Sequence, residues 1–203
     1  MTVYRDLADV PSGRYSVIYA DPPWSYTCWG KGRGNRAAAN HYSVSPTADI
    51  AKMDVGRIAG KKAALLIWVT GPMLRESFDV MDAWGFSYST IGYVWIKLNA
   101  DGTPFMGLGH STRSGAEVCL LAYRTPVPRE SRREYEVIEA KVRRHSQKPP
   151  AVARSIELLY GDVPRIELFA RGPPRHGWDA MGWEADGGAT TIDAHLGREG
   201  GGD

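Results

Sequence analysis

The stretch YSVIYADPPW (residues 15–24) joins a short apolar run to a stiff polar turn. Its first six residues have the length and the β-branched and aromatic content of a buried strand. Because Asp21 follows this strand at once, its side chain is predicted at the carboxyl edge of a sheet, where open α/β folds bind their ligands. The rest of the chain is therefore interpreted around this edge.

Further apolar runs predict the other strands of the same sheet. They are AALLIWV (63–69), IGYVWIK (91–97), AEVCLLAY (116–123) and RIELFA (165–170). Each is nearly all apolar, which is typical of strands covered by helices on both faces. Helical patterns lie between them at about 47–59, 73–84 and 149–160. The sequence therefore predicts an α/β sandwich.

Length and composition predict one domain. The chain has 203 residues, of which 43% are hydrophobic, enough for one sizeable core in residues 1–185. The Gly-rich residues 186–203 have too little apolar content to pack, so we expect a disordered tail. The first residues show no apolar signal core and no run is long enough for a membrane span, which favours a cytoplasmic protein. The two cysteines and five histidines have no metal-ligand spacing, so we predict neither a disulfide nor a metal site.

The distribution of charge is more informative than the formal net charge of +2. Eight basic residues and four acids lie between residues 124 and 148, and a second basic cluster occupies residues 31–36. An ordinary solvated surface is the alternative for both clusters. Their meaning therefore depends on whether they lie beside a site.

The tetrapeptide Asp21-Pro22-Pro23-Trp24 suits methylation of an aromatic amino group. Such a nitrogen is a poor nucleophile because its lone pair is delocalised into the ring. The Asp21 carboxylate and the Pro22 carbonyl can each accept one amino hydrogen, which directs the lone pair at a methyl donor. Pro23 helps to fix that backbone, and Trp24 offers a flat face on which a base can stack. The alternative is a stiff turn, with Asp21 as a helix cap and Trp24 in the core.

The motifs along the chain resemble a known family. Asp-Pro-Pro-Trp after an apolar strand is followed in order by LLIWVTG (65–71), YVWIKLN (93–99), HSQKP (145–149) and RIELFAR (165–171). Together they resemble the MT-A70 family of adenine-N6 methyltransferases over roughly residues 15–184, in its compact bacterial or prophage-type branch. The resemblance implies a Rossmann-like methyltransferase fold with a mixed, mostly parallel sheet, helices on both faces and a permuted motif order.

The resemblance also implies S-adenosylmethionine as the cofactor. Lys148 stands at the start of the helix predicted at about 149–160. It matches the family's lysine that contacts the methionine carboxylate, and Glu184 matches the position of a ribose contact. Asp21, Glu167 and Arg171 complete the implied cofactor site. For Lys148 the alternative is a solvated side chain, and for Glu167 it is an ion pair with Arg165 or Arg171.

The implied substrate is adenine in a nucleic acid, with DNA preferred and RNA as the alternative. Two long loops, 25–46 and 98–115, flank the catalytic strand end in the family fold, and their basic side chains would hold phosphates. The candidates are Lys31, Arg33, Arg36, His41, Tyr42 and Arg113. A homodimer or a partner subunit would complement so short a chain. A catalytically weak, nucleic-acid-binding partner is a rival interpretation, although its tetrapeptide would be altered. Cytosine methylation would normally show Ser at position 21.

Overall fold

The computed structural model describes residues 1–25, 46–109, 111–143, 147–182 and 185. The strands in these residues are β1 (Val3–Tyr4), β2 (Tyr15–Ala20), β3 (Ala59–Val69), β4 (Ser87–Leu98), β5 (Ala116–Thr125), β6 (Val137–Lys141), β7 (Arg165–Leu168) and β8 (Asp179–Met181). The helices are α1 (Thr47–Lys52), α2 (Val55–Ile58), α3 (Leu74–Ala83) and α4 (Pro150–Tyr160).

The eight strands of the described part form one sheet in the order β1-β8-β7-β2-β3-β5-β4-β6. Strand β2 lies between β3 and β7 and is parallel to both, whereas β5 is antiparallel to its neighbours β3 and β4. The remaining pairs are parallel. All strands except β5 therefore point the same way, and they end at one edge of the sheet, which we call the carboxyl edge.

Helices cover both faces of the sheet. Alternate residues of a strand point to opposite faces, so the apolar central strands present apolar side chains on both faces. Leu65 and Ile67 of β3 share a buried cluster with residues of α1, α2 and α3. Leu66 and Trp68 share a second cluster with Val152 and other residues of α4. The predicted mixed, mostly parallel α/β sheet is confirmed.

Element boundaries differ from the predictions in several places, and β3 and β4 each begin four residues before the runs predicted at 63–69 and 91–97. The helical pattern at 47–59 is two short helices, since Met53 has an extended backbone with ψ 127°. Helix α4 begins at Pro150, with Pro149 at the N-cap, one residue after the start of the predicted helical pattern. Strand β6 was not predicted, because its sequence VIEAK alternates polar and apolar residues within a basic segment.

No helix of the described residues is long and apolar enough to cross a membrane. The predicted tail at residues 186–203 lies outside the described part of the chain. The single-domain boundary at residue 185 stays a prediction.

Candidate active site

Asp21 lies where the sequence places it, at the carboxyl edge directly after β2. Its backbone N–H donates to the carbonyl oxygen of Leu168, at the end of the neighbouring strand β7, at 3.5 Å. Its side chain is 17% exposed, which leaves the carboxylate reachable from outside. The central position of β2 therefore presents this carboxylate in the middle of the edge.

A buried lysine binds the Asp21 carboxylate. The Nζ atom of Lys148 lies 2.8 Å from Oδ1 of Asp21 and donates to Oδ2 at 2.9 Å. The Lys148 side chain is only 8% exposed, so the alternative of a solvated lysine is wrong. The ammonium group also lies 5.5 Å from the centre of the Trp68 ring, in a cation–π contact.

Two further charged residues, which the sequence analysis did not single out, extend this pair into a chain of alternating charges. Oε2 of Glu117 lies 3.1 Å from Nζ of Lys148, and Oε1 of Glu117 accepts a hydrogen bond from Lys97. Glu117 is the second residue of β5, and Lys97 is the last but one residue of β4. Opposite charges at the joined ends of two antiparallel strands were the signal that could have identified them.

The pKa values of this chain of charges follow from its alternation. Burial by itself would raise the pKa of Glu117, but Lys148 and Lys97 together hold it below its ordinary value of 4.5. Burial would likewise lower the pKa of Lys148, but Asp21 and Glu117 raise it above 10.5. Both groups are therefore charged at neutral pH.

A cavity of about 290 Å³ opens beside Asp21. It brings together four of the predicted site residues, Asp21, Lys148, Glu167 and Arg171. It is also lined by residues that were not predicted as site residues: Arg143, Gln147, Phe169, Gly172, Pro173 and Arg175. The volume lies at the lower end of the roughly 300–1,000 Å³ typical of small-molecule sites.

Two arginines balance the carboxylates of the cavity. Nη2 of Arg171 lies 3.8 Å from Oδ2 of Asp21. Nε of Arg175 donates to Oε2 of Glu167 at 3.0 Å, so the ion pair expected for Glu167 forms with Arg175 and not with Arg165 or Arg171. Burial raises the pKa of Glu167 even so, with Arg175 opposing the shift and the charge of Asp21 adding to it. The cavity thus combines an acidic and a basic wall.

The remaining residues of the tetrapeptide have mainly structural contacts. Trp24 is 4% exposed and its Nε1 donates to the Trp68 carbonyl at 2.8 Å. The prediction that its face stacks a base is therefore wrong, and it is a core residue. The Pro22 carbonyl accepts the Trp24 N–H at 2.9 Å, which leaves one of its two lone pairs for another donor. Pro23 is buried beside it.

The predicted basic cluster between residues 124 and 148 is divided by the topology. The segment up to β6 lies at the opposite edge of the sheet, where Arg124 donates to the carbonyl oxygens of Ala59 and Gly56. Arg143 follows β6 and lines the cavity. Only the end of the cluster therefore belongs to the site.

Several predicted residues fall outside the described chain, and their roles stay predictions. They are Lys31, Arg33, Arg36, His41, Tyr42 and Glu184. Arg113 is described, and it lies exposed in the loop between β4 and β5. Among the described residues, no group of three His, Cys, Asp or Glu side chains could hold a metal ion.

Comparison with known proteins defines the class to which this fold and site belong. The MT-A70 family pattern matches residues 15–184. The type II methyltransferase M.MunI of a Mycoplasma species is 31% identical over 192 residues, covering 86% of this chain and 79% of its own. The human N(6)-adenosine-methyltransferase catalytic subunit METTL3 is 25% identical over 181 residues, and the Drosophila melanogaster MT-A70-like protein is 26% identical over 190. The chain spans only 29% of the length of each of these two.

The chain therefore belongs to the MT-A70 family. The predicted enzyme class, an adenine-N6 methyltransferase that uses S-adenosylmethionine, is confirmed by this membership. The roles of individual residues in that reaction rest on the geometry described above.

Proposed function

We propose that this protein methylates the N6 amino group of adenine in DNA, with Asp21 and the Pro22 carbonyl as the acceptors that orient the reacting nitrogen. The observation that carries the proposal is the Asp21 carboxylate, which lies at the carboxyl edge and is bound by the buried Lys148. It opens on a cavity that contains charges of both signs. We prefer DNA to RNA as the substrate because the chain covers 79% of the type II methyltransferase M.MunI. It covers only 29% of the N(6)-adenosine-methyltransferase METTL3.

The donor set of the cavity fits S-adenosylmethionine, which carries a carboxylate, an ammonium group, a sulfonium and two ribose hydroxyls. Lys148 and Arg171 would hold the carboxylate by charge-assisted hydrogen bonds. Glu167 would accept hydrogen bonds from the ribose hydroxyl groups at the other end of the cofactor. The Phe169 ring gives the cavity an apolar surface. When bound, the cofactor supplies an electrophilic methyl group.

The chemistry left to the protein is orientation of a weak nucleophile. Asp21 can accept one N6 hydrogen although Lys148 occupies part of it, because a carboxylate offers about four acceptor sites. The remaining lone pair of the Pro22 carbonyl can accept the second hydrogen. These two acceptors favour a pyramidal nitrogen, whose lone pair then points away from the ring plane. Lys148 holds the Asp21 carboxylate in place without protonating it.

Basic side chains at the same edge would hold the phosphates of the substrate. Arg143 lines the cavity and Arg113 lies in the adjoining loop. We propose the same role for Lys31, Arg33 and Arg36, with His41 and Tyr42 beside them. Such contacts position the strand but carry no sequence information themselves.

Transfer of labelled methyl from S-adenosylmethionine to matched DNA and RNA oligonucleotides, followed by nucleoside analysis, tests the proposal. We expect N6-methyladenine in DNA, and product formed about 100- to 1,000-fold more slowly by Asp21→Ala protein of the same purity. Product in RNA alone would replace DNA by the RNA alternative, and N4-methylcytosine would contradict the proposed base.

The finer properties of the protein are also part of the proposal. We propose a cytoplasmic enzyme that acts as a homodimer or with a partner subunit. Sedimentation of the purified protein with and without DNA tests this assembly, and a monomer that methylates DNA at full rate would contradict it.

A further inference from the structure

The loop between β4 and β5 carries two large apolar side chains into solvent. Met106 is 75% exposed and Leu108 is 83% exposed. Single exposed apolar residues are common, but two at one loop tip need an explanation. In the segment Met106-Gly107-Leu108-Gly109 of this loop, glycine alternates with the two apolar residues.

Hydrogen bonds make this loop a narrow hairpin. The Phe105 N–H donates to the Lys97 carbonyl at 2.9 Å, and Gly107 and Ser114 exchange backbone hydrogen bonds at 2.7 and 3.3 Å. A Cβ atom at Gly107 would lie 2.6 Å from the Ser114 carbonyl oxygen, so only glycine allows this close approach. Because side chains alternate along an extended backbone, Met106 and Leu108 share one face.

The hairpin is anchored to the active site. It begins at the end of β4, which is parallel to β6 and ends at the carboxyl edge with Asp21. The Phe105 ring lies 5.9 Å from Nζ of Lys97, the first member of the charge chain that ends at Asp21. The tip is therefore held at the edge where the proposed reaction occurs.

The surroundings of the tip favour a nucleic acid as its partner. Arg113 is exposed on the returning arm of the hairpin, and Arg143 lies at the same edge. Two side chains cover far less than the roughly 800 Å² that each partner buries in a stable protein interface. A narrow apolar segment beside positively charged side chains suits insertion between two stacked bases.

We propose that Met106 and Leu108 form a wedge that enters the base stack of duplex DNA beside the target adenine. This inference rests on the proposed function. A paired adenine must leave the duplex before its N6 atom can reach Asp21, and this unstacking is energetically unfavourable. Apolar side chains that fill the vacated step offset that cost, as in other proteins that distort DNA.

The test compares a double variant, Met106→Ala with Leu108→Ala in one protein, with wild type on three forms of one unmethylated oligonucleotide that contains the target adenine. These are the duplex, the same duplex with a mismatch opposite the target adenine, and the single strand. We expect methylation of the perfect duplex to fall by about tenfold or more, with the mismatched and single-stranded forms close to wild type. The fluorescence of 2-aminopurine at the target position should report less flipped base in the duplex.

Tyr135→Ala is the matched control, because Tyr135 is 83% exposed but precedes β6 at the opposite edge. It should methylate all three forms like wild type. Unchanged duplex methylation in the double variant, or an equal loss on the single strand, would overturn the wedge. A change in its sedimentation would instead assign the tip to contact with a second copy, which also overturns it. Failure of wild type on every form would refute the proposed function itself.

Discussion

At the scale of single residues, Asp21 is the group on which we expect methyl transfer to depend most. Asp21→Ala removes an acceptor that acts only as the nitrogen changes geometry, so kcat should fall by about 100- to 1,000-fold. Binding of S-adenosylmethionine should survive in part, because Lys148 still has Glu117 as its partner. Single-turnover kinetics and calorimetry measure the two effects. Full activity of the variant would refute the proposed mechanism.

Lys148 has a different expected effect, since we propose that its charge binds the cofactor as well as Asp21. Lys148→Ala should weaken S-adenosylmethionine binding by about ten- to 100-fold, the value of a charge-assisted hydrogen bond. Calorimetry checks this, and a circular dichroism spectrum verifies that the variant is folded. Lys141→Ala is the control, because Lys141 is exposed at the end of β6. Equal dissociation constants for Lys148→Ala and wild type would mean that Lys148 does not bind the cofactor and serves only to hold Asp21.

At the scale of elements, the junction of β7 and β8 is closely packed where the cavity begins. A Cβ atom at Gly182 would lie 2.2 Å from the backbone nitrogen of Ala170, and Ala170 donates to the Met181 carbonyl. Gly182→Ala must therefore separate these strands, and we expect a loss of about 1–3 kcal/mol in the free energy of unfolding. Urea denaturation measures it.

Gly71→Ala provides the matched comparison. Gly71 has no atom within 4 Å of the added Cβ, so this variant should be about as stable as wild type. If both variants lost the same stability, the close approach at Gly182 would not be the cause.

Strands β2, β3, β5 and β7 were predictable from the sequence because their central residues are apolar and largely buried. Strands β1 and β6 were not predicted, since they are the two outermost strands of the described sheet, β1 has only two residues, and β6 carries Glu139 and Lys141 at exposed positions. Asp21 could be placed at the carboxyl edge because it follows a predicted strand directly, whereas Glu167 and Arg171 were assigned to the site by the family resemblance. Glu117 and Lys97 were missed, because their opposite charges become a signal only once the two strands are recognised as an antiparallel pair. Trp24 was misplaced because a tryptophan in a motif looks the same whether it contacts a ligand or the core.

At the scale of the whole molecule, the buried charges couple folding to pH. The pKa of Glu117 is lower in the folded chain than its ordinary value of 4.5. Its contribution to stability is therefore complete above that value and is lost as pH falls through the lowered pKa. Lys148 has a raised pKa, so its contribution is complete below 10.5 and is lost at higher pH.

The variant Glu117→Gln tests this coupling. It leaves two buried lysines with one partner fewer, so the free energy of unfolding at pH 7 should fall by about 3 kcal/mol. Below pH 4.5 the difference from wild type should shrink, because wild type loses the same charge by protonation. Urea denaturation across pH 3–7 measures both. A difference that stayed constant with pH would contradict the linkage.

The ammonium of Lys148, 5.5 Å from the Trp68 ring, also gives the protein an optical reporter. Indole emission shifts with the electric field across the ring, and a bound carboxylate would cancel part of that field. Binding of the cofactor in the cavity should therefore shift the emission maximum of the intrinsic tryptophan fluorescence, with no added dye. A titration with S-adenosylhomocysteine would follow occupancy directly, and Trp68→Phe protein should bind without the signal. Occupancy could then be read in real time, independently of turnover.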